Sequence, residues 1–363
     1  MEDEIIQGLE IYLVGGTIRD NLIGLPSSGD FDWVVIGSDS KEMINRGFVS
    51  VGNHFPVFLH PISKEEYALA RTEKKIGKGY RGFTFYTGAD VTLTDDLFRR
   101  DLTINAIAKS STGQLIDPFN GIQDIKRKRL NHVSSAFKED PVRILRLARF
   151  CAKFSDFFVS EETLDLCKMM VKTGEVNNLI SERVWKEISR GLLSETPSKM
   201  FDFLEYTGAL INIIPELKIS DLVKRRLDNL PNDVNLSMRY AILCFDSKLK
   251  EMIHKRFRAP KNCIENANLF PIISQELKKP FLDAKDQLFL LEKTDALRKP
   301  DRFIEFLRIF SFVEGKNIDR SIWKNRINKL RTINISSLSE FSKKENIHIK
   351  YEIRKARLKI LDT

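Results

Sequence analysis

Histidine and cysteine are scarce in this 363-residue chain, and their positions exclude several kinds of site. The four cysteines show neither close pairing nor the spacing of a metal-binding motif, so we expect reduced, buried thiols. Only two of the five histidines lie beyond residue 140. That number is too small for a multi-histidine metal centre in the C-terminal part of the chain.

Long apolar runs are also missing. No stretch approaches the roughly 20 apolar residues that a membrane-spanning helix needs. The acidic first four residues do not resemble a secretory signal. We therefore expect a cytoplasmic protein without a membrane partner, long enough for two or three domains at 42% hydrophobic residues.

Positive charge is concentrated at the C-terminal end. The net charge is +9, and the segment from Lys278 onward holds 21 basic and 12 acidic residues, so the remainder is balanced. This asymmetry indicates that a polyanion binds the C-terminal region. The alternative is a solvated helical surface with an incidental bias.

The most informative pattern lies near the N-terminus. An apolar, strand-like segment ends in Gly15-Gly16, and Arg19 follows on what we predict to be the first turns of a helix. Glycines let backbone N–H groups approach a phosphate, and a helix N-terminus favours the same anion. Asp30 and Asp32 follow at positions that share one face of a strand. Two neighbouring carboxylates repel each other unless a cation lies between them. The pattern therefore predicts phosphoryl transfer assisted by a divalent metal.

Two later segments extend this prediction. Arg99-Arg100-Asp101 suits a triphosphate, since a guanidinium binds phosphate while a carboxylate orients it. Asp140 and Arg143 lie at a predicted helix start, where a carboxylate acceptor and a guanidinium donor match the amine and acceptor shown by cytosine and adenine. An N-cap aspartate with a surface arginine is the alternative for this pair.

The organisation along the chain changes near residue 134. The first 130 residues have an α/β pattern, and residues 74–95 are predicted to be a loop with one or two short strand pieces. Strands are predicted at Ile11–Val14, Trp33–Ile36, Val57–His60, Tyr67–Ala70 and Leu115–Ile116. Helices are predicted near Pro141–Lys153, Glu161–Lys172, Ser181–Leu193, Pro197–Thr207, Met238–Phe257 and Pro300–Phe312.

These segments together resemble the class II CCA-adding enzymes. These are tRNA nucleotidyltransferases related to bacterial poly(A) polymerases, within the polymerase-β-like superfamily. The resemblance is close from about Tyr12 to Phe150 and weaker through Ser181–Leu193. It implies an α+β fold, with a nucleotidyltransferase head of mixed sheet and helices before an all-α neck, body and tail. The implied ranges are 1–133 for the head, 134–220 for the neck with the nucleobase site, and 221–363 for a tRNA-binding body and tail.

The resemblance also implies roles for individual residues. Asp30 and Asp32 are the expected catalytic pair that binds Mg²⁺, with one ion helping to deprotonate the primer 3′-hydroxyl and a second supporting the leaving pyrophosphate. Arg71, Glu73 and the following loop resemble the segment that helps the switch from C to A. The expected nucleotide-binding residues are Gly16, Arg19, Arg100, Asp140, Arg143, Arg146 and Arg149.

The expected function is template-independent addition of C, C and A to the tRNA 3′ end from CTP and ATP. The alternatives are a CC-adding enzyme, an A-adding enzyme, a poly(A) polymerase, or an inactive RNA-binding relative. The third carboxylate at the metal site, whether Asp101, Asp95 or Asp96, stays open. Phe245 occupies the place of a histidine in the HD phosphohydrolase domain of longer relatives, so we predict no HD activity. We predict no stable protein partner.

Overall fold

The computed structural model describes residues 3–26, 29, 31–51, 57–75, 83–334, 336 and 348–362. The chain separates into two compact units, residues 1–215 and 216–363. Among the described residues, strands occur in the first unit alone; they are β1 Glu10–Val14, β2 Asp32–Ile36, β3 Val49–Val51, β4 Val57–Leu59, β5 Glu66–Leu69, β6 Thr72–Lys75, β7 Phe83–Tyr86, β8 Ala108–Ser110, β9 Leu115–Ile116, β10 Arg129–Leu130 and β11 Phe158–Val159.

Helices occur in both units. Those of the first unit are α1 Gly16–Ile23, α2 Ser40–Asn45, α3 Leu93–Phe98, α4 Gly121–Lys126, α5 Val142–Lys153, α6 Glu161–Lys172, α7 Ser181–Leu192, α8 Pro197–Tyr206 and α9 Ala209–Ile213. Those of the second are α10 Asp221–Asp228, α11 Leu236–Leu243, α12 Lys250–Phe257, α13 Lys261–Leu277, α14 Ala284–Lys293, α15 Pro300–Glu314, α16 Arg320–Arg331 and α17 Ile349–Leu361.

A mixed sheet forms the core of the N-terminal part. Its described strands lie in the order β3-β4-β5-β2-β1-β8-β9, with β2 and β5 parallel and the other neighbours antiparallel. Val14 pairs with Asp32 across β1 and β2. This register brings Asp32 to the strand end where the glycine turn begins. Apolar side chains of β1, β2 and β8 pack into one buried cluster beneath that edge.

The predicted strands and helices of the first unit are confirmed, with end shifts of a residue or so. The short strand pieces predicted within residues 74–95 are present, since β6 and β7 pair as an antiparallel ribbon, but the loop prediction is wrong at its end, because Leu93 already begins α3. A capping box explains the early helix start: the Thr92 side chain accepts the N–H of Asp95, and the Asp95 side chain accepts the N–H of Thr92. Residues 76–82 of that segment lie outside the described residues.

The described elements of the second unit are all helices. The single helix predicted over Met238–Phe257 is wrong, since α11 ends at Leu243 and α12 begins at Lys250. The N–H groups of Phe245 and Ser247 close short turns onto the carbonyls of Ile242 and Cys244, which ends the helix. No described helix is long and apolar enough to cross a bilayer.

Phe245 itself belongs to an aromatic contact. Its ring packs edge-on against Phe270 of α13, with 5.7 Å between the centroids. The guanidinium carbon of Arg226 lies 5.1 Å from the same ring. Phe245 therefore serves packing in the second unit, and the absence of HD activity stays a prediction.

Gly121, the first residue of α4, allows close contact with another segment. A Cβ there would lie 2.2 Å from the Thr103 carbonyl oxygen and 2.9 Å from Ile107 Cγ1. We expect Gly121→Ala to lower the free energy of unfolding by about 1–3 kcal/mol, because a backbone atom must move. Urea unfolding followed by circular dichroism measures this. Gln123→Ala, an exposed change on the same helix, is the control, and equal stability of the two variants would contradict the prediction.

Candidate active site

One cavity of about 710 Å³ in the first unit is lined by the residues of the predicted site. Every predicted catalytic or nucleotide-binding residue lines it except Asp30, which lies outside the described residues. The residues brought together are Gly16, Arg19, Asp32, Arg100, Asp140, Arg143, Arg146 and Arg149. They come from β2, α1, the segment after α3, the turn before α5 and helix α5 itself, so only the tertiary fold brings them into one site.

The glycine turn forms one end of this cavity. Gly15 has a positive φ of 83°, a conformation that favours glycine, and α1 begins at the next residue. A Cβ on Gly15 would lie 3.6 Å from Asp32 Oδ2 and 3.7 Å from Arg100 Nη1. The carboxylate, the guanidinium and the start of α1 are therefore close together, which suits a bound phosphate and its counterion.

Arg19 is held rigidly beneath this turn. It is buried, donates to Asp20 Oδ1 over 2.8 Å and donates to Asn105 Oδ1 over 2.5 Å. Its guanidinium carbon lies 5.1 Å from the ring of Phe150 and 5.2 Å from that of Phe154. The charge is thus positioned before any ligand binds, which lowers the ordering cost of binding.

Asp96 orients both neighbouring arginines of the second motif. It is fully buried; its Oδ1 accepts from Arg99 Nη2 and its Oδ2 accepts from Arg100 Nη2 over 2.9 Å. We expected Asp101 to have this role, and the structure corrects that expectation. Asp96 lies on α3, three and four residues before the arginines, which follow the last helical residue Phe98, so the three side chains are one turn apart.

Asp101 instead fixes Arg146 of α5. Its Oδ2 accepts from Arg146 Nε over 2.7 Å, and its Oδ1 accepts from Asn105 Nδ2 over 2.9 Å. Burial alone would raise the pKa of Asp101, but Arg146 and Asn105 outweigh it and hold this pKa well below the usual range. With its oxygens bound to donors, Asp101 is not a good candidate for the third metal-binding carboxylate.

The other two candidates for that carboxylate are engaged as well. Asp96 neutralises Arg99 and Arg100, as described above. Asp95 accepts the Thr92 N–H over 3.0 Å as part of the α3 cap. Within the described ranges, no group of three histidine, cysteine or acidic residues is placed to hold a metal ion.

Asp140 and Arg143 both line the cavity but do not pair through their side chains. Arg143 donates to the carbonyls of Ala136, over 2.7 Å, and of Arg99, over 2.6 Å. Asp140 forms a bidentate pair with Arg183 of α7, at 3.0 and 2.6 Å. Each residue of the predicted base-selecting pair is thus held by a separate partner.

Helix α7 also fixes Arg149, further along α5. Glu187 Oε2 accepts from Arg149 Nε over 2.6 Å, and the Arg149 guanidinium carbon lies 4.3 Å from the Phe150 ring. Burial lowers the pKa of Arg149, and Glu187 opposes this effect. Arg146 and Arg149 of α5 are therefore each neutralised by a carboxylate, whereas Arg143 is held by backbone carbonyls.

Arg71 and Glu73 lie at the side of the cavity next to the β6–β7 ribbon. Glu73 Oε1 accepts from Arg71 Nε over 3.1 Å and from Arg99 Nη1 over 2.7 Å. Burial, followed by repulsion from Arg99, lowers the pKa of Arg71 to about 10. The predicted C-to-A switch segment therefore contacts the second motif through a shared carboxylate.

The sequence analysis missed several residues that line or support the cavity. They are Asn105, Arg183, Glu187 and Arg190; for Asp96 the sequence analysis considers only a metal-binding role and not the orientation of Arg99 and Arg100. The i+3 and i+4 spacing from Asp96 to the arginines could have identified Asp96. Arg183 and Glu187 share a face of the predicted α7, but a sequence does not tell which helix lies opposite.

Known proteins resemble this chain in sequence over nearly its whole length. Residues 11–131 match the family described as poly A polymerase head domain, and residues 156–220 match the probable RNA and SrmB-binding site of polymerase A. The CCA-adding enzyme of Bordetella pertussis is 47% identical over 361 residues, which cover 99% of this chain and 98% of that protein. The CCA-adding enzyme of Coxiella burnetii is 43% identical over 364 residues, covering 99% and 96%.

The fold also matches a solved structure. The crystal structure of the Bacillus stearothermophilus CCA-adding enzyme in complex with CTP aligns with a TM-score of 0.77. The alignment covers 99% of this chain and 91% of that one at 19% identity. At this identity the similarity supports the fold, a mixed-sheet head followed by helices.

The stabilisation that the buried ion pairs of Asp96 provide should depend on pH, and this dependence can be tested. Burial would raise its pKa, but Arg99 and Arg100 lower it to about 2 from the usual 3.8. Because the folded-state pKa is the lower one, the stabilisation is complete above about pH 5 and is lost as the pH falls toward 2. We expect the stability difference between wild type and Asp96→Asn to shrink by about 1 kcal/mol from pH 5 to pH 3.

Urea unfolding at both pH values measures this difference. Asp165→Asn, which changes an exposed carboxylate on α6, is the control and should show almost no pH-dependent difference. A stability difference for Asp96→Asn that is the same at pH 5 and pH 3 would contradict the assignment of Asp96 as an ion-paired carboxylate.

Proposed function

The chain belongs to the CCA-adding enzyme family of tRNA nucleotidyltransferases, and we propose that its cavity adds C, C and A to the 3′ end of tRNA from CTP and ATP. The observation that carries this proposal is the composition of one cavity. A glycine turn and arginines suited to a triphosphate lie in the same space as a carboxylate and a guanidinium suited to a base edge. No nucleic acid template is needed if side chains select the base.

Nucleotidyltransferases of this family generally use a divalent metal, and we propose that Asp30 and Asp32 bind Mg²⁺ here. Asp32 fits this role, since its carboxylate lines the cavity near Gly15 and Arg100, and Mg²⁺ prefers oxygen ligands. Bound there, Mg²⁺ would activate the primer hydroxyl and support the leaving pyrophosphate.

The arginines near the glycine turn would bind the triphosphate. Arg19 is held by Asp20 and Asn105, and Arg100 is held by Asp96, so both charges are already oriented. Preorganised charges stabilise the negative charge that develops on phosphate oxygens during transfer, without reorganisation at that moment. The N-terminus of α1 would add backbone N–H groups to the same site.

Asp140 and Arg143 would select the base. Arg143, which is 7% exposed, keeps its orientation through two backbone carbonyls, and Asp140 presents an oriented carboxylate beside it. A carboxylate accepts the exocyclic amine of cytosine or adenine and opposes the carbonyl oxygen of uracil or guanine at that position. Arg146 and Arg149 would line the same nucleotide pocket.

The proposed range for the head is 1–133, followed by a neck over 134–220 and a body and tail over 221–363. The basic C-terminal helices of the second unit would bind tRNA, including its elbow, by shape and phosphate contacts. The charge excess beyond Lys278 supports this assignment. We propose no stable protein partner and no HD activity.

Incubation with tRNA lacking its 3′ end, Mg²⁺ and labelled CTP or ATP tests the reaction. Complete CCA addition gives a product three nucleotides longer that contains both labels. A two-nucleotide product, a one-nucleotide product or a long A tail would instead identify a CC-adding enzyme, an A-adding enzyme or a poly(A) polymerase. Absence of both labels would refute the enzymatic proposal.

Asp140→Ala tests the base-selecting role. We expect kcat/KM for CTP and ATP to fall by about 10- to 100-fold, because the amine loses its acceptor and Arg183 loses its partner. The dissociation constant for tRNA should stay within about twofold, since phosphate contacts elsewhere dominate tRNA affinity. Steady-state kinetics and filter binding measure the two effects. Asp165→Ala is the control, and an equal loss of tRNA binding and nucleotide use would contradict the role.

The helix α17 provides a test of the basic tail. Lys355 and Lys359 are exposed and one helical turn apart, so the double change to Gln removes two charges from one face. We expect the slope of log affinity against log salt for tRNA to become shallower by about one to two units. The matched control changes the exposed Lys109 and Lys172 of the first unit to Gln. An unchanged slope in the α17 variant would contradict tRNA binding by this face.

A further inference from the structure

The carboxylate of Asp140 is surrounded by N–H donors in a fixed arrangement. Its Oδ1 accepts the backbone N–H of Val142 over 3.1 Å and Arg183 Nη1 over 3.0 Å, and its Oδ2 accepts Arg183 Nη2 over 2.6 Å. A carboxylate has about four lone-pair sites. One site therefore stays available, and its direction is set by the other three bonds.

Arg183 sets that direction more than the backbone does. A single N–H from Val142 leaves the carboxylate free to rotate, whereas a bidentate guanidinium fixes its plane. Three-quarters or more of each of the two side chains is buried, with 25% of the Arg183 side chain and 18% of the Asp140 side chain exposed. Water therefore has limited access to compete for the pair.

The helix that carries Arg183 is itself anchored to α5. Glu187, one turn after Arg183, binds Arg149, and the two side chains are only 5% and 13% exposed. Two ion pairs, made by α7 residues one helical turn apart, thus hold α7 against α5 and against the turn before it that contains Asp140. Arg183 is therefore positioned by packing as well as by its own bond to Asp140.

Given the base-selecting role proposed above, we propose that Arg183 is a specificity-determining positioning residue. Its guanidinium keeps Asp140 as an acceptor aimed at the exocyclic amine of the incoming base. A base that places a carbonyl oxygen there meets a carboxylate that cannot turn away, so two acceptors face each other and UTP is rejected. Without Arg183 the carboxylate can rotate or admit water, and the repulsion weakens.

Arg183→Gln tests this inference by comparing CTP with UTP. We expect the ratio of kcat/KM for CTP to that for UTP to fall by about tenfold, because CTP loses an oriented acceptor and UTP loses a fixed repulsion. The matched control is Arg190→Gln, which removes one charge from the same helix and the same cavity. Arg190→Gln should change kcat/KM for CTP and kcat/KM for UTP by the same factor. If Arg183→Gln also changes kcat/KM for CTP and for UTP by the same factor, the inference is overturned.

A double variant separates positioning from a general structural effect. If Arg183 acts through Asp140, then Asp140→Ala combined with Arg183→Gln should have the same CTP-to-UTP ratio as Asp140→Ala alone. A further fall of the ratio in the double variant would overturn the inference. Arg183→Lys keeps the charge without the bidentate geometry, so it should restore the ratio only in part, and it serves as the test if the Gln variant does not fold.

The outcomes also separate this inference from the proposed function. If Asp140→Ala leaves the CTP-to-UTP ratio unchanged, the base-selecting role fails and the role of Arg183 fails with it. If Asp140→Ala lowers the ratio but Arg183→Gln does not, only the positioning role of Arg183 is overturned. Circular dichroism of each variant at the assay temperature confirms that folded protein is compared.

Discussion

Mutual repulsion among arginines is the constraint on which the cavity depends. Arginines of the glycine-turn helix, the second motif, α5 and α7 line one space of about 710 Å³, and each adds positive charge to its neighbours. Burial is the largest cause of the lowered pKa values of Arg71 and Arg149, and repulsion from Arg99 and from Arg146, respectively, lowers them further. Repulsion between these guanidinium groups would destabilise a cavity that binds a polyanion. Buried carboxylates next to several of them offset this repulsion.

Those carboxylates also impose geometry. Arg19 is paired with Asp20 and Arg146 with Asp101, while Arg99 and Arg100 share Asp96. A paired guanidinium keeps some donors for a ligand while its position is fixed, so less conformational entropy is lost on binding. The same ion pairs connect elements distant in sequence, since Asp101 follows α3 whereas Arg146 lies on α5. Charge balance and tertiary structure are thus achieved by the same contacts.

Local sequence rules predicted much of the first unit. Short apolar runs identified β1 and β2, and apolar spacing along Pro141–Lys153 identified α5, because these patterns reflect which residues of an element are buried. The rules failed where local capping decided the outcome, as at Thr92. They also failed where a turn interrupted a continuous apolar pattern, as between α11 and α12. Periodicity reports burial but not where the backbone hydrogen bonds of a helix end.

The sequence by itself was enough to predict which glycines, aspartates and arginines contribute to the site. Within one strand or helix, the backbone geometry fixes which residues share a face, so the spacing of these residues could be interpreted directly. It also determined the family, through motifs in a fixed order. Only the tertiary structure decided which carboxylate serves which arginine. Asp101 binds Arg146 and Asp140 binds Arg183, across 45 and 43 residues. Pairs of this kind depend on how helices pack against other segments. The spacing of residues within one helix or strand does not reveal that packing.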